Sequence, residues 1–486
     1  MIEGVQPDYG GFDPKFLGIT LRFYAQNPDT WELYKRIEAA SELPFELVKQ
    51  GNAALQGGTA KAFEFFSLGT VLPHEARHFH DFLLSPYGNR IFRLRLMAAA
   101  NGTQAAGSFK SADKFVPCPI PKWRRKTASE REVLAAGWRA QLNRDDHFED
   151  FDVAPEYTTL FEQIENTYSR IKDHLHNPVT VRGEVSFQPC HIFEASALLV
   201  QIQHVYSVFG EPHANLFLNV IFNEPSARTY TMVVRLLATV WEKAGFQRDF
   251  NVMSAAISWT LFGDYERDGW SACPTERFVK LYGYLSDSGP PVPDTSCSDL
   301  FDEWTEALGV TSVTEALQSN AASNQRLVDK FDELFGGTWS KVFPEVMSGA
   351  RALVAAHSHM ALRFIEKPDD YVSPYGYFEN MRNWVAAPVG VQFTGGAMRL
   401  NKGSLSGIKI HKAFDHDPNY LTVFRFYLDE PLPGVKLIDA DLAQDLSDVI
   451  SLTDFLFAEF NRDDPDFEIA RQTLEEEGIL PLEVLF

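Results

Sequence analysis

The sequence predicts an α+β protein, predominantly helical, with a helical subdomain and a small C-terminal antiparallel β region. Three observations carry this expectation. Apolar residues recur at helical spacing through most of 212–366, as in TMVVRLLATVWEKAGF and SGARALVAAHSHMALRFI. A long apolar segment at 189–209, PCHIFEASALLVQIQHVYSVF, reads as one helix. Three strand-like runs, VGVQFTGG, GIKIHKAF and LTVFRFYLDE, then follow one another towards the C-terminus.

Taken in order, TLRFYA reads as a strand and 31–57 as helix. FEFFSLGTVL is strand-like and leads into LPHEARHFHDFLL, where Pro73 suits a first helical turn and Ser85-Pro86 a stop. Residues 101–127 are rich in Gly, Ser, Pro and Lys, and read as an exposed loop or insertion that acts as a cover. Helical periodicity resumes at 128–144 and 156–177, and VTVRGEVSF at 179–187 is strand-like. Turn residues in DSGPPVPDTS, 287–296, interrupt the helical region. Two acidic helices, near 440–461 and 465–477, close the chain. The expected organisation is a metal-binding core over 1–210 with an insertion near 101–177, a helical region over 211–370, and β structure with C-terminal helices over 371–481. The closing LEVLF, 482–486, matches what an engineered 3C-protease site leaves behind and is expected to lie outside the fold.

Charge and cysteine usage narrow the function classes. A formal charge of −22 over 486 residues repels polyanions, so neither nucleic acid nor an anionic membrane surface is an expected partner. The local exception, Lys122-Trp123-Arg124-Arg125-Lys126, reads as a solvated loop. Cys118, Cys190, Cys273 and Cys297 are far apart and form no CxxC pair, which fits a reducing compartment. MIEGVQPDYGGFD has no basic n-region and no apolar h-region, and no run of about 20 apolar residues exists. A cytoplasmic protein is expected.

The chemistry concentrates in residues 74–81. His74-Glu75-Ala76-Arg77-His78 is an HExxH. Four residues make slightly more than one helical turn, so both imidazoles point the same way and can share one Zn²⁺. Relative to His74, His78 falls at about 40°, Glu75 at about 100° and Asp81 at about 340° around the helix. Glu75 therefore stands beside the metal face, where it can take a proton from a zinc-bound water. His80, at about 240°, is expected to face solvent or to act as a hydrogen-bonding group at the surface. Asp81 rises too far along the axis to ligate easily, and reads as a supporting acceptor or a partner for Arg77.

A catalytic zinc needs a third protein ligand and an open position. Glu194 is the one acidic residue within 189–209, and a carboxylate in that apolar setting needs a proton, a hydrogen bond or a cation. Ala195 and Ala197 leave room for another helix, and Gln201 shares the Glu194 face as a candidate second partner. His191 is a rival ligand. A buried acid satisfied by His191, His204 or an arginine is the alternative without metal.

An HExxH helix followed by a glutamate in a Glu-Ala-x-Ala setting resembles the glutamate-ligand, gluzincin-like branch of the zincin metallopeptidases. The resemblance covers these two segments, roughly 40 residues. It implies a zincin-like catalytic core, Zn²⁺ held by His74, His78 and Glu194, and Glu75 as general base. The gap of 116 residues between His78 and Glu194 departs from the compact members and implies an inserted subdomain. Leu198 stands where many relatives carry an aspartate, and Asp81 and Leu84 replace the glycine and third histidine of the metzincin extension.

The expected activity is zinc-dependent hydrolysis of a protein or peptide substrate, restrained by a cover or by a regulatory protein partner. Segments 101–127 and 212–366 are the candidates for that restraint. Two other functions fit the same residues: a non-catalytic zincin-like binding or regulatory module, and a metal-dependent hydrolase of a non-peptide amide. His174 and His176 sit at a polar helix end. His357 and His359 read first as core or surface histidines, with oxyanion stabilisation by one of them as the alternative. His411, Asp415, His416 and Asp417 form a crowded polar loop that could hold a metal but does not need one. Tyr206, Tyr375 and Tyr377 are candidate donors to an oxyanion.

Overall fold

The computed structural model describes residues 10–13, 18–23, 59–109, 115–142, 155–181, 185–335, 344–393, 396–400, 408–410, 435–438, 440–458, 470–472, 474–475 and 480–484. The chain begins with β1 (Gly10–Asp13), β2 (Gly18–Phe23), α1 (Thr59–Leu84) and α2 (Pro86–Phe109). There follow β3 (Phe115–Cys118), α3 (Ile120–Arg124), α4 (Ala128–Leu142), α5 (Pro155–Leu175), β4 (Val179–Val181), β5 (Val185–Phe187) and α6 (Pro189–Phe209). The helical region comprises α7 (Glu211–Asn223), α8 (Arg228–Ala244), α9 (Phe250–Leu261), α10 (Pro274–Ser288), α11 (Cys297–Leu308), α12 (Val313–Phe335) and α13 (Pro344–Glu366). Short α14 (Asp369–Val372) and α15 (Pro374–Asn380) precede β6 (Val389–Phe393), β7 (Gly396–Leu400), β8 (Ile408–Ile410), α16 (Ala440–Phe457) and β9 (Leu480–Glu483).

Helix dominates, as the periodicity predicts. The expected helix at 31–57 and the run LTVFRFYLDE lie outside the described residues, as do His411, Asp415, His416 and Asp417. Contacts divide the chain into two compact units.

The first unit comprises Met1–Arg90, Leu175–Arg326 and Ala352–Asp441. Its sheet has the order β1-β2-β6-β7-β8. β1 and β2 pair antiparallel, β2 and β6 parallel with Ile19 opposite Val389, and β6, β7 and β8 antiparallel. The C-terminal strands are thus antiparallel among themselves, but they are not a separate β region: an N-terminal hairpin completes their sheet. Pairing with β2 covers backbone groups that β6 would otherwise present as an open edge.

Helices α1 and α6 form the centre of this unit. FEFFSLGTVL is helical, not strand-like, and belongs to the long α1. Its aromatic and β-branched residues favour a strand only weakly, and tertiary packing overrides that preference. Pro73 accordingly lies inside α1 rather than at its start, at the cost of one backbone hydrogen bond. The predicted stop is real. Asn89 Nδ2 donates to Leu83 O at 2.6 Å and Ser85 O at 2.9 Å, satisfying carbonyls that the ending helix leaves open.

Helix α6 has the predicted bounds. Pro189 opens it, Gln188 and His191 form a reciprocal cap, and Gly210 ends it at φ 85°, a region where a side chain would be strained. Ala195 and Ala197 are fully buried, as close helix packing requires. Behind them α9, capped by Asp249, buries every residue from Val252 to Leu261.

The second unit comprises Ile91–His174, Leu327–Arg351 and Leu442–Phe486. Its core joins Phe109, Val116, Cys118, Ile120, Phe161 and Phe457. The described residues of 101–127 are not one exposed loop: 101–109 continue α2, Val116 and Cys118 of β3 are buried, and Trp123 of the basic run stacks on Trp138 with centroids 5.4 Å apart. Apolar residues spaced among the Gly, Ser and Pro, including Val116, Cys118 and Ile120, bury this part of the segment, while Arg125 and Thr127 are exposed. Leu482–Val484 of the closing LEVLF also take part in the fold. Leu482 and Glu483 belong to β9, which pairs with β3, and the Val484 amide donates to Cys118 O at 2.9 Å.

Candidate metal centre

Residues 73–89 of α1 and α2 are buried almost without break, so the histidine-rich segment sits in the interior rather than on a surface. One face of α1 meets α6 at Glu194. Glu194 Oε2 lies 3.2 Å from His74 Nε2 and 3.2 Å from His78 Nε2, and the two nitrogens are 3.1 Å apart. Among the described residues these three are the one group of His, Cys, Asp and Glu side chains placed so that it could hold a metal ion.

Three donor atoms at nearly equal separations suit a small divalent cation. Bonds of about 2.0–2.2 Å in a tetrahedron place neighbouring donors about 3.3–3.6 Å apart. The observed separations of 3.1–3.2 Å are a few tenths of an ångström shorter, so a small outward movement of the donors would seat the ion. The side chains of His74 and His78 are 7% and 8% exposed and that of Glu194 is 24% exposed, so the centre opens on the glutamate side.

The electrostatics ask for positive charge at the same point. Burial pulls the His78 pKa down, but the Glu194 carboxylate more than reverses this and raises it to about 9. Burial pushes the Glu194 pKa up, and the two histidines overcome it, holding the carboxyl below the usual range. A metal ion there would take the place of the His78 proton as the positive charge opposite Glu194.

The neighbours fall into place around this triangle. Glu75 is buried on α1 beside β1, and a Cβ built on Gly10 would come within 3.3 Å of Glu75 Oε1. Gly10 therefore lets the strand approach the glutamate closely. His74 Nδ1 is buried without a hydrogen-bond partner among the described residues. The Tyr230 ring of α8 stands edge-on to the same imidazole, with centroids 5.9 Å apart. Packing holds that imidazole.

His191 is excluded as a substitute ligand through Nδ1, which accepts the Gln188 amide at 2.9 Å. Asp81 is the Arg77 partner expected, at 3.1 Å, and also accepts from the Tyr371 hydroxyl at 2.7 Å. Gln201 does not reach Glu194: its amide donates to Thr70 Oγ1 at 2.7 Å.

His80 is a correction. It is fully buried, donating from Nε2 to Val385 O and accepting the Tyr377 hydroxyl at Nδ1, both at 2.6 Å. The side of α1 opposite the metal face is packed on other elements rather than on water. Tyr377 is thereby committed to His80, while Tyr206 and Tyr375 are exposed. His357 lies buried between Leu83 O and Leu317 O, and His359 faces Asn383 O. His174 is buried at the end of α5. Tyr230 was not distinguishable in the sequence, because an aromatic on an amphipathic helix looks like ordinary core.

None of the four cysteines is paired, and no helix among the described residues is long and apolar enough to cross a membrane. Comparison with family models, curated proteins and solved structures returns no match, so the centre is read from its own geometry.

Proposed function

We propose that this chain is a zinc-dependent peptidase of the zincin kind, acting on a protein or peptide substrate. His74, His78 and Glu194 hold the zinc, and Glu75 is the general base. The observation that carries the reading is the approach of Glu194 Oε2 to 3.2 Å from both imidazole nitrogens, across 116 and 120 residues of sequence. Two neutral imidazoles and one carboxylate form a hard-to-borderline donor set suited to zinc, with one negative charge to offset two positive. Bound there, zinc supplies Lewis acidity at a carbonyl and lowers the pKa of coordinated water.

The chain's own groups divide the remaining work. His74 and His78 present Nε2 lone pairs, and their burial excludes competing donors. The exposed flank of Glu194 admits water and substrate. Glu75, one residue from His74 on the same helix, accepts a proton during attack and returns it to the leaving amine.

Glu75→Gln tests this reading. The variant is expected to keep its zinc and to lose hydrolysis of a fluorogenic peptide library by about 10²–10⁴-fold. Full hydrolysis by Glu75→Gln with zinc bound removes the mechanism. Stoichiometric zinc in the unaltered protein without turnover points instead to a non-catalytic binding module, and turnover confined to small amides points to a non-peptide amide hydrolase.

A further inference from the structure

Arg77 occupies a variable position of the HExxH, yet it is fully buried. Its Nε lies 2.9 Å from Ser196 Oγ and 3.1 Å from an Asp81 oxygen. Nη1 donates to Tyr371 O at 2.5 Å and Nη2 to Ser258 Oγ at 3.3 Å. The guanidinium stacks on Tyr371, 4.0 Å from the ring centroid, with Tyr377 at 4.9 Å. One cation therefore joins α1 to α6, α9 and α14.

The bond to Ser196 differs from the rest in what it connects. Arg77 is the neighbour of His78, and Ser196 is two residues beyond Glu194. This contact thus ties the two ligand-bearing helices together beside the ligands. The short bond to Tyr371 O anchors the same rigid fork on an element that carries no ligand, whereas the 3.3 Å contact to Ser258 is the longest of the set and leaves that anchor in place when removed. A guanidinium fixed on that side can locate α6 through its Nε.

We propose that Arg77 is a positioning residue for the metal centre, holding Glu194 at bonding distance from His74 and His78 through its hydrogen bond to Ser196. This rests on the zinc reading above. Removing Arg77 outright would strand the buried Asp81 charge and risks unfolding. The serines give the cleaner test. Ser196 and Ser258 are each 1% exposed, and each accepts one hydrogen bond from the same guanidinium.

The experiment measures zinc affinity by competition with a chromophoric chelator in the full chain, its Ser196→Ala variant and its Ser258→Ala variant, with a thermal melt of each. Ser196→Ala is expected to bind zinc about 10–100-fold more weakly, the usual effect of losing an outer partner of a metal site. Ser258→Ala is expected to keep the original affinity while its melting temperature falls by a similar few degrees. Equal zinc affinities in the two variants overturn the positioning role while leaving the zinc reading intact. No zinc in the unaltered protein overturns the zinc reading and the inference with it.

Discussion

Gln201 Nε2 donates to Thr70 Oγ1 at 2.7 Å, and this bond reads the same helix register as the metal centre. Helices α1 and α6 run antiparallel. Going from Thr70 to His78 on one corresponds to going back from Gln201 to Glu194 on the other. The polar bond lies about one turn from His74 and about two from His78 and Glu194, where it fixes the pairing without touching those three side chains.

Gln201→Leu is expected to destabilise the fold by about 1 kcal/mol, the net contribution of one buried hydrogen bond. In a Thr70→Val background the same change should cost less, because the bond it removes is already absent. Urea unfolding of the two single variants and the double variant gives the coupling. Additive effects would deny the bond a part in the register.

Two glycines make opposite predictions. A Cβ on Gly88 would fall 2.2 Å from Phe82 O, a backbone atom that cannot step aside. Gly88→Ala is expected to cost about 1–3 kcal/mol through forced backbone movement. Gly137, exposed within α4, has nothing within 4 Å of its built Cβ. Gly137→Ala should stabilise by about 0.5–1 kcal/mol through helix propensity. Thermal melts should move in opposite directions.

His80 predicts a loss of stability in acid. Burial lowers its pKa to about 4, outweighing the Val385 carbonyl, which favours the charged ring. In the unfolded chain the group titrates near its ordinary value of 6.5. The unfolded state therefore binds the proton first as pH falls. Stability contributed by neutral His80 is complete above 6.5 and is lost as pH drops towards 4. The shift corresponds to about 3 kcal/mol. A His80→Gln variant should lose about 3 kcal/mol less than the unaltered protein between pH 7 and pH 4. Parallel pH profiles from urea unfolding would contradict this account of His80.

Sequence made the ligand pair and α6 legible for local reasons. The HExxH spacing depends only on helix pitch, and the apolar run 189–209 carries its own start at Pro189 and stop at Gly210. Glu194 stood out because a lone acid in such a run needs a reason. His80 was misplaced because an angular argument assumes that the side away from a site meets water, and α1 is packed all round over residues 73–84. The parallel pairing of β2 with β6 joins segments more than 360 residues apart, beyond what alternation within a strand can reveal. Arg77 was readable as an Asp81 partner, but its bonds to Ser196 and Ser258 depend on helices that only the tertiary fold brings near.

The central claim is that His74, His78 and Glu194 hold one divalent cation between them. Zinc titration by equilibrium dialysis at neutral pH, with bound metal counted in the purified chain and in Glu194→Ala, tests it most directly. The account predicts one tightly held zinc per chain and a loss of at least about 100-fold in affinity without the carboxylate. Equal zinc content and affinity in the two proteins would contradict it.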